Sequence, residues 1–87
     1  MAGLQVRVLG NPTSGGEVKV EVHGAVGQPL VLHLSELRGR LVSERLVKRA
    51  AVAEQQTLSL GNAGAGLFFL RVSTPTLTKT IKVLKAE

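Results

Sequence analysis

Few side chains in this sequence could carry chemistry: two histidines, six glutamates and five serines, with no cysteine and no aspartate. A metal centre needs several His, Cys or carboxylate donors converging on one point. His23 and His33 are the only imidazoles. Glu21 shares a strand face with His23 at a period of two. The two histidines could join in one site only if their strands were neighbours. Both fall opposite an apolar stripe, so each is expected to face solvent, and no metal or other cofactor is assigned. Nucleophilic catalysis needs a hydroxyl or thiol beside a base that a third group holds. None of Ser14, Ser35, Ser43, Ser59 and Ser73 lies in a Gly-x-Ser-x-Gly turn. Glu17 and Glu21 could pair as carboxylates, but Lys19 stands between them on the same face, which reads as a solvated ladder. The glycines of Gly61-Asn62-Ala63-Gly64-Ala65-Gly66 lack the Lys-Ser/Thr of a phosphate-binding loop, and a strand pattern follows instead of a helix. No catalytic residue is assigned and an enzyme is not expected.

Charge suggests recognition instead. The formal net charge is +5. Arg38, Arg40, Arg45, Lys48 and Arg49 form one basic group, partly balanced by Glu36, Glu44 and Glu54. Arg71, Lys79, Lys82 and Lys85 form a second, within a stretch from Gln55 to Ala86 that has no carboxylate. Such a surface attracts nucleic acid, anionic lipid or an acidic protein. Single-stranded nucleic acid also needs stacking aromatics, and the chain has only Phe68 and Phe69. A nucleic-acid partner is therefore not expected, and a sugar platform is equally poorly supplied. No apolar run reaches the length of a membrane-spanning helix. Met1-Ala2-Gly3 does not open a basic-then-apolar signal peptide. These three residues read as a start and linker before an excised fragment.

The elements that must position these residues are strands. Val18, Val20 and Val22 alternate with Glu17, Lys19, Glu21 and His23. Leu30, Leu32 and Leu34 alternate with Val31, His33 and Ser35, and Phe68, Leu70 and Val72 with Phe69 and Arg71. This is the period of half-buried strands. Phe68 reads as core, and Phe69 as either loop-covered or exposed. Clusters of Gly, Asn and Pro punctuate the runs. Strands are predicted at about 4–9, 17–23, 30–35, 41–48, 56–60, 67–73 and 79–85. Val42, Leu46, Ala50 and Ala53 would also share a helix face, but the segment has no clean cap, so a strand followed by a loop is preferred. Seven short strands with frequent turns predict an all-β, immunoglobulin-like antiparallel β-sandwich filling residues 1–87 as one domain.

The order of the punctuation carries a resemblance. Asn11-Pro12 follows the first strand, and Leu37-Arg38-Gly39-Arg40-Leu41-Val42 follows the third. Gly66-Leu67-Phe68-Phe69-Leu70-Arg71-Val72 comes next, and the last strand is Thr78-Lys79-Thr80-Ile81-Lys82-Val83-Leu84-Lys85. From Val6 to Lys85 this resembles the type A C-terminal sorting domain of cargo proteins of the type IX secretion system of Bacteroidota. That family reads Pro-Asn-Pro, Asp-x-x-Gly-Arg/Lys, Gly-x-Tyr-x-Leu-x-Val and a lysine-spaced final strand. Here Gly10, Glu36 and Phe68 stand where the first Pro, the Asp and the Tyr are usual.

The resemblance implies an address for an upstream cargo, which an outer-membrane shuttle barrel of the translocon recognises and a sortase-like cysteine protease commonly removes. The cargo would then be secreted or held at the cell surface. The implied signal residues are Gly66, Phe68, Leu70, Val72, Lys79, Ile81, Lys82, Val83 and Lys85. The family turn motifs fall on Asn11, Pro12, Gly39 and Arg40. The alternative from the fold alone is an immunoglobulin-like spacer or adhesion module of a bacterial surface protein.

Overall fold

Period-two alternation fixes the architecture, because each strand with one apolar face must bury it against another such face. The computed structural model describes residues 3–9, 16–61 and 64–85. The strands are β1 (Gln5–Leu9), β2 (Glu17–His23), β3 (Leu30–Glu36), β4 (Leu41–Val47), β5 (Ala53–Ser59), β6 (Gly66–Ser73) and β7 (Thr78–Lys85). No helix occurs among the described residues. One sheet has the order β1-β2-β5 and the other β4-β3-β6-β7. All strand pairs are antiparallel. The fold is an immunoglobulin-like sandwich in which the fourth strand pairs with the third, where the constant-type arrangement pairs it with the fifth.

The core is an aliphatic layer between the sheets. Val18, Val20, Val22 and Leu58 come from one side, and Leu30, Leu32, Leu34, Leu70, Val72 and Val83 from the other. Each of these is essentially inaccessible to water, and such a side chain contributes about 1.5–3 kcal/mol through burial. Phe68 is the single buried aromatic, and Val6, Val8, Val42 and Val47 pack on the margins. Ala25 and Ala50 are also buried. The loops that carry them are joined by a parallel bridge between Val26 and Ala50. The Gly27 amide donates to the Ala50 carbonyl at 2.8 Å, and the Ala50 amide donates to the Gln28 carbonyl at 2.9 Å. Ala50 therefore lies in a bridged loop, not on the helix face its spacing also allowed.

Two differences from the predicted strands have physical causes. The fifth strand starts at Ala53, three residues earlier than predicted. Glu54 and Gln56 stand opposite Val22 and Val20, on the inward side, so the strand lacks an apolar stripe there. Their polar groups are satisfied locally. Glu54 accepts from the Ala51 amide at 2.8 Å through Oε1 and from Gln56 Nε2 at 2.6 Å through Oε2. The second difference is a bulge in the β3–β4 pairing. Leu34 faces Ser43 and Ser35 faces Leu41, leaving Val42 as the extra residue. The bulge lets Val42 pack on the core margin while Leu41 stays outside. Arg45, opposite Leu32, donates through Nε to the Thr57 carbonyl at 3.2 Å and so spans the seam between β4 and β5.

Gly24 is a tight point after β2. Its φ is +92°, and a Cβ there would lie 2.3 Å from the Gly3 carbonyl oxygen. Gly24→Ala is expected to cost about 1–3 kcal/mol in urea unfolding. Gly16→Ala, where a Cβ meets nothing within 4 Å, is expected to be near neutral. Leu70→Ala is expected to cost about 2–5 kcal/mol by the same measurement, because its cavity opens in the centre of the core.

Candidate recognition surface

The residues implied in recognition divide by strand parity. Phe68, Leu70, Val72 and Val83 point into the sandwich and are buried. A receptor that meets the folded domain does not reach them. Ile81, opposite Leu70, is half-buried on the same side. Gly66 opens β6 opposite Lys85. The lysines do not share a face, because a three-residue spacing changes side at each step along a strand. Lys79 and Lys85 stand opposite Val72 and Gly66, on the inward parity at the two ends of β7, whereas Lys82 stands outward, opposite Phe69. Lys79 and Lys82 are exposed and Lys85 is half-buried. β7 is the terminal strand in the order of its sheet and pairs with β6. Its three cations therefore lie along a sheet edge.

The turn at Gly39 and Arg40 joins β3 to β4, and β4 is at the other end of the sheet order from β7. Gly39 has φ +92°, which suits a residue without Cβ in a tight turn. Its amide donates to the Glu36 carbonyl at 2.8 Å, and the Glu36 amide donates to the Arg40 carbonyl at 2.9 Å. These bonds join β3 to β4 and leave the side chains of Leu37, Arg38 and Arg40 exposed. Asn11 and Pro12 lie outside the described residues.

The histidines occupy different sheets, since β2 and β3 are not paired. His23 donates through Nε2 to Glu21 Oε2 at 3.0 Å, along its own strand. His33 donates through Nε2 to Glu44 on β4. Each imidazole thus has a separate carboxylate. No three His, Cys, Asp or Glu side chains among the described residues converge as a metal site.

The sequence reading left the outer face of the four-stranded sheet largely unread. Glu44, His33, Arg71 and Thr80 form one row across it, and Leu41, Ser35, Phe69 and Lys82 form the next. Leu67 and Leu84 pair in the following row. His33, Ser35, Gly39, Leu41, Phe69, Arg71 and Thr80 line an open depression of about 480 Å³. The parity of Phe69 and Arg71 was the available signal. The position of Leu41 was not readable, because the bulge at Val42 decides it.

Comparison with protein-family models finds no match, and comparison with curated proteins finds none of significance.

Accessibility provides a direct check of this geometry. The chain has no native thiol, so one cysteine can be introduced at a time. Lys82→Cys is expected to react with a thiol reagent in the native domain at nearly the rate of a free peptide. Val83→Cys is expected to react at least about a hundredfold more slowly, because labelling must wait for opening of the core. Equal rates would contradict the register of β7.

Proposed function

We propose that this chain is a type A C-terminal sorting domain, which directs an upstream protein through the type IX outer-membrane translocon. The observation that carries this reading is the ordered set of motifs, ending on a lysine-bearing strand at a sheet edge. Side-chain chemistry supports it as well. The exposed ammonium groups of Lys79 and Lys82 are suited to an acidic receptor surface, where complementary charge sets encounter rate and register. The buried members of the motif, Phe68, Leu70, Val72 and Val83, act indirectly by holding β6 and β7 in place. In this reading the destination is the cell surface or the medium, the shuttle barrel and a sortase-like cysteine protease are the partners, and any catalysis belongs to the attached cargo.

The test is a reporter carrying an N-terminal signal peptide and this domain at its C-terminus, expressed in a Bacteroidota strain with an active type IX system. The reporter is expected outside the outer membrane. Lys79→Glu with Lys82→Glu is expected to reduce export by roughly tenfold or more, the reporter remaining periplasmic, because like charges then face the receptor. Both positions are exposed, so urea unfolding of the double variant is expected to match the parent. Undiminished secretion of a stably folded double variant would overturn the reading, as would failure of the parent fusion to leave the periplasm.

A further inference from the structure

Outward-facing apolar side chains gather toward one end of the four-stranded sheet. Leu41 is 52% exposed and Leu84 is 48% exposed, with half-buried Phe69 and Leu67 between them on β6. Phe69 forms part of the wall of the 480 Å³ depression, beside Gly39, whose lack of a side chain leaves that rim low. Cations border this strip. Arg71 follows Phe69 on the same face of β6, and Lys82 is the cross-strand neighbour of Phe69. Cross-strand neighbours have Cβ atoms about 4.5–5.5 Å apart. The guanidinium of Arg71 makes no ion pair among the described residues. The single carboxylate at an outward strand position on this sheet is Glu44, which is bonded to His33.

We propose that this sheet face is a docking site for an acidic protein segment, which places an apolar side chain in the depression beside Phe69 and Leu41 and a carboxylate against Arg71. Charge complementarity selects this occupant. A second copy of the chain, packed face to face, would bring Arg71 and Lys82 against like charges. A bilayer takes up protruding apolar groups beneath a basic collar, whereas here Phe69 and Leu41 line an open depression. Arg71 is also placed to form a forked pair with a carboxylate. This site lies on the outer sheet face, with Thr80 and Lys82 of β7 at its border, and does not depend on the export role.

The test uses the whole chain and a blocked heptapeptide, Glu-Ser-Glu-Leu-Glu-Ser-Glu, followed through backbone amide resonances. Saturable shifts are expected at Leu41, Phe69, Arg71 and Thr80. Replacing the peptide's leucine by serine is expected to weaken binding roughly tenfold, through loss of one apolar contact. Arg71→Gln is expected to weaken it about three- to tenfold while the remaining resonances keep their positions. Vesicles of phosphatidylglycerol are expected to leave these four amides unshifted. The proposal is overturned if the peptide produces no saturable shift up to about 5 mM, the weakest affinity one such contact pair would give. It is also overturned by equal shifts around Lys48 and Arg49, by a serine peptide that binds as well as the parent, or by selective shifts with vesicles alone.

Discussion

The register of β6 between β3 and β7 is the constraint on which most of this molecule depends. Phe68, Leu70 and Val72 enter the core only if Leu67, Phe69 and Arg71 leave it. A slip by one residue would exchange the two sets and drive a guanidinium into an aliphatic layer. The same register sets Lys82 beside Phe69 and Arg71 beside His33 and Thr80. The core and the outer surface of the sheet are thus two faces of one strand. The core carries no buried polar side chain among the described residues, so no side-chain hydrogen bond within it adds to the backbone ladders in fixing the alignment. Size and parity of leucine, valine and Phe68 select the register that those ladders hold.

The terminal strands of the sheets are guarded differently on the two sides of the sandwich. Between β4 and β5, Arg45 reaches across to the Thr57 carbonyl while Glu54 and Gln56 close the inward positions with each other and the Ala51 amide. Inward-pointing polar groups at an edge discourage pairing with another chain. At β7 the protection is a set of lysines distributed over both parities. Lysine on an edge strand repels indiscriminate strand addition and still admits a partner with opposite charge. Protection and recognition can therefore reside in the same side chains.

The sequence exposed the parts of the fold where apolar and polar residues alternate. Val18-Lys19-Val20-Glu21-Val22 and Leu30-Val31-Leu32-His33-Leu34 state their own parity, and the strands lie where the alternation puts them. The beginning of β5 was hidden, since Glu54 and Gln56 occupy inward positions that a stripe-based reading assigns to apolar residues. Leu41 was hidden for another reason. The extra residue at Val42 reverses parity within β4, and a bulge depends on how β4 meets β3. The proposed signal was legible as a string but not as a surface. Period-two spacing already turns Phe68, Leu70 and Val72 to one side, and three-residue spacing separates Lys79 from Lys82. Which neighbours each outward residue joins across the sheet requires its pairing partner.

If the domain acts as an address read in its folded state, contact with the translocon must come from outward positions. The most direct measurement is photo-crosslinking in a type IX-competent strain, with a photoreactive amino acid placed singly at position 82 or 83 of an exported fusion. The account predicts a cross-link to the outer-membrane barrel from position 82 and none from position 83, since Val83 is sealed in the core. Cross-links of equal yield from both positions would show that the receptor reads an opened chain. That result, or the absence of any cross-link from position 82, would contradict recognition of the folded sandwich.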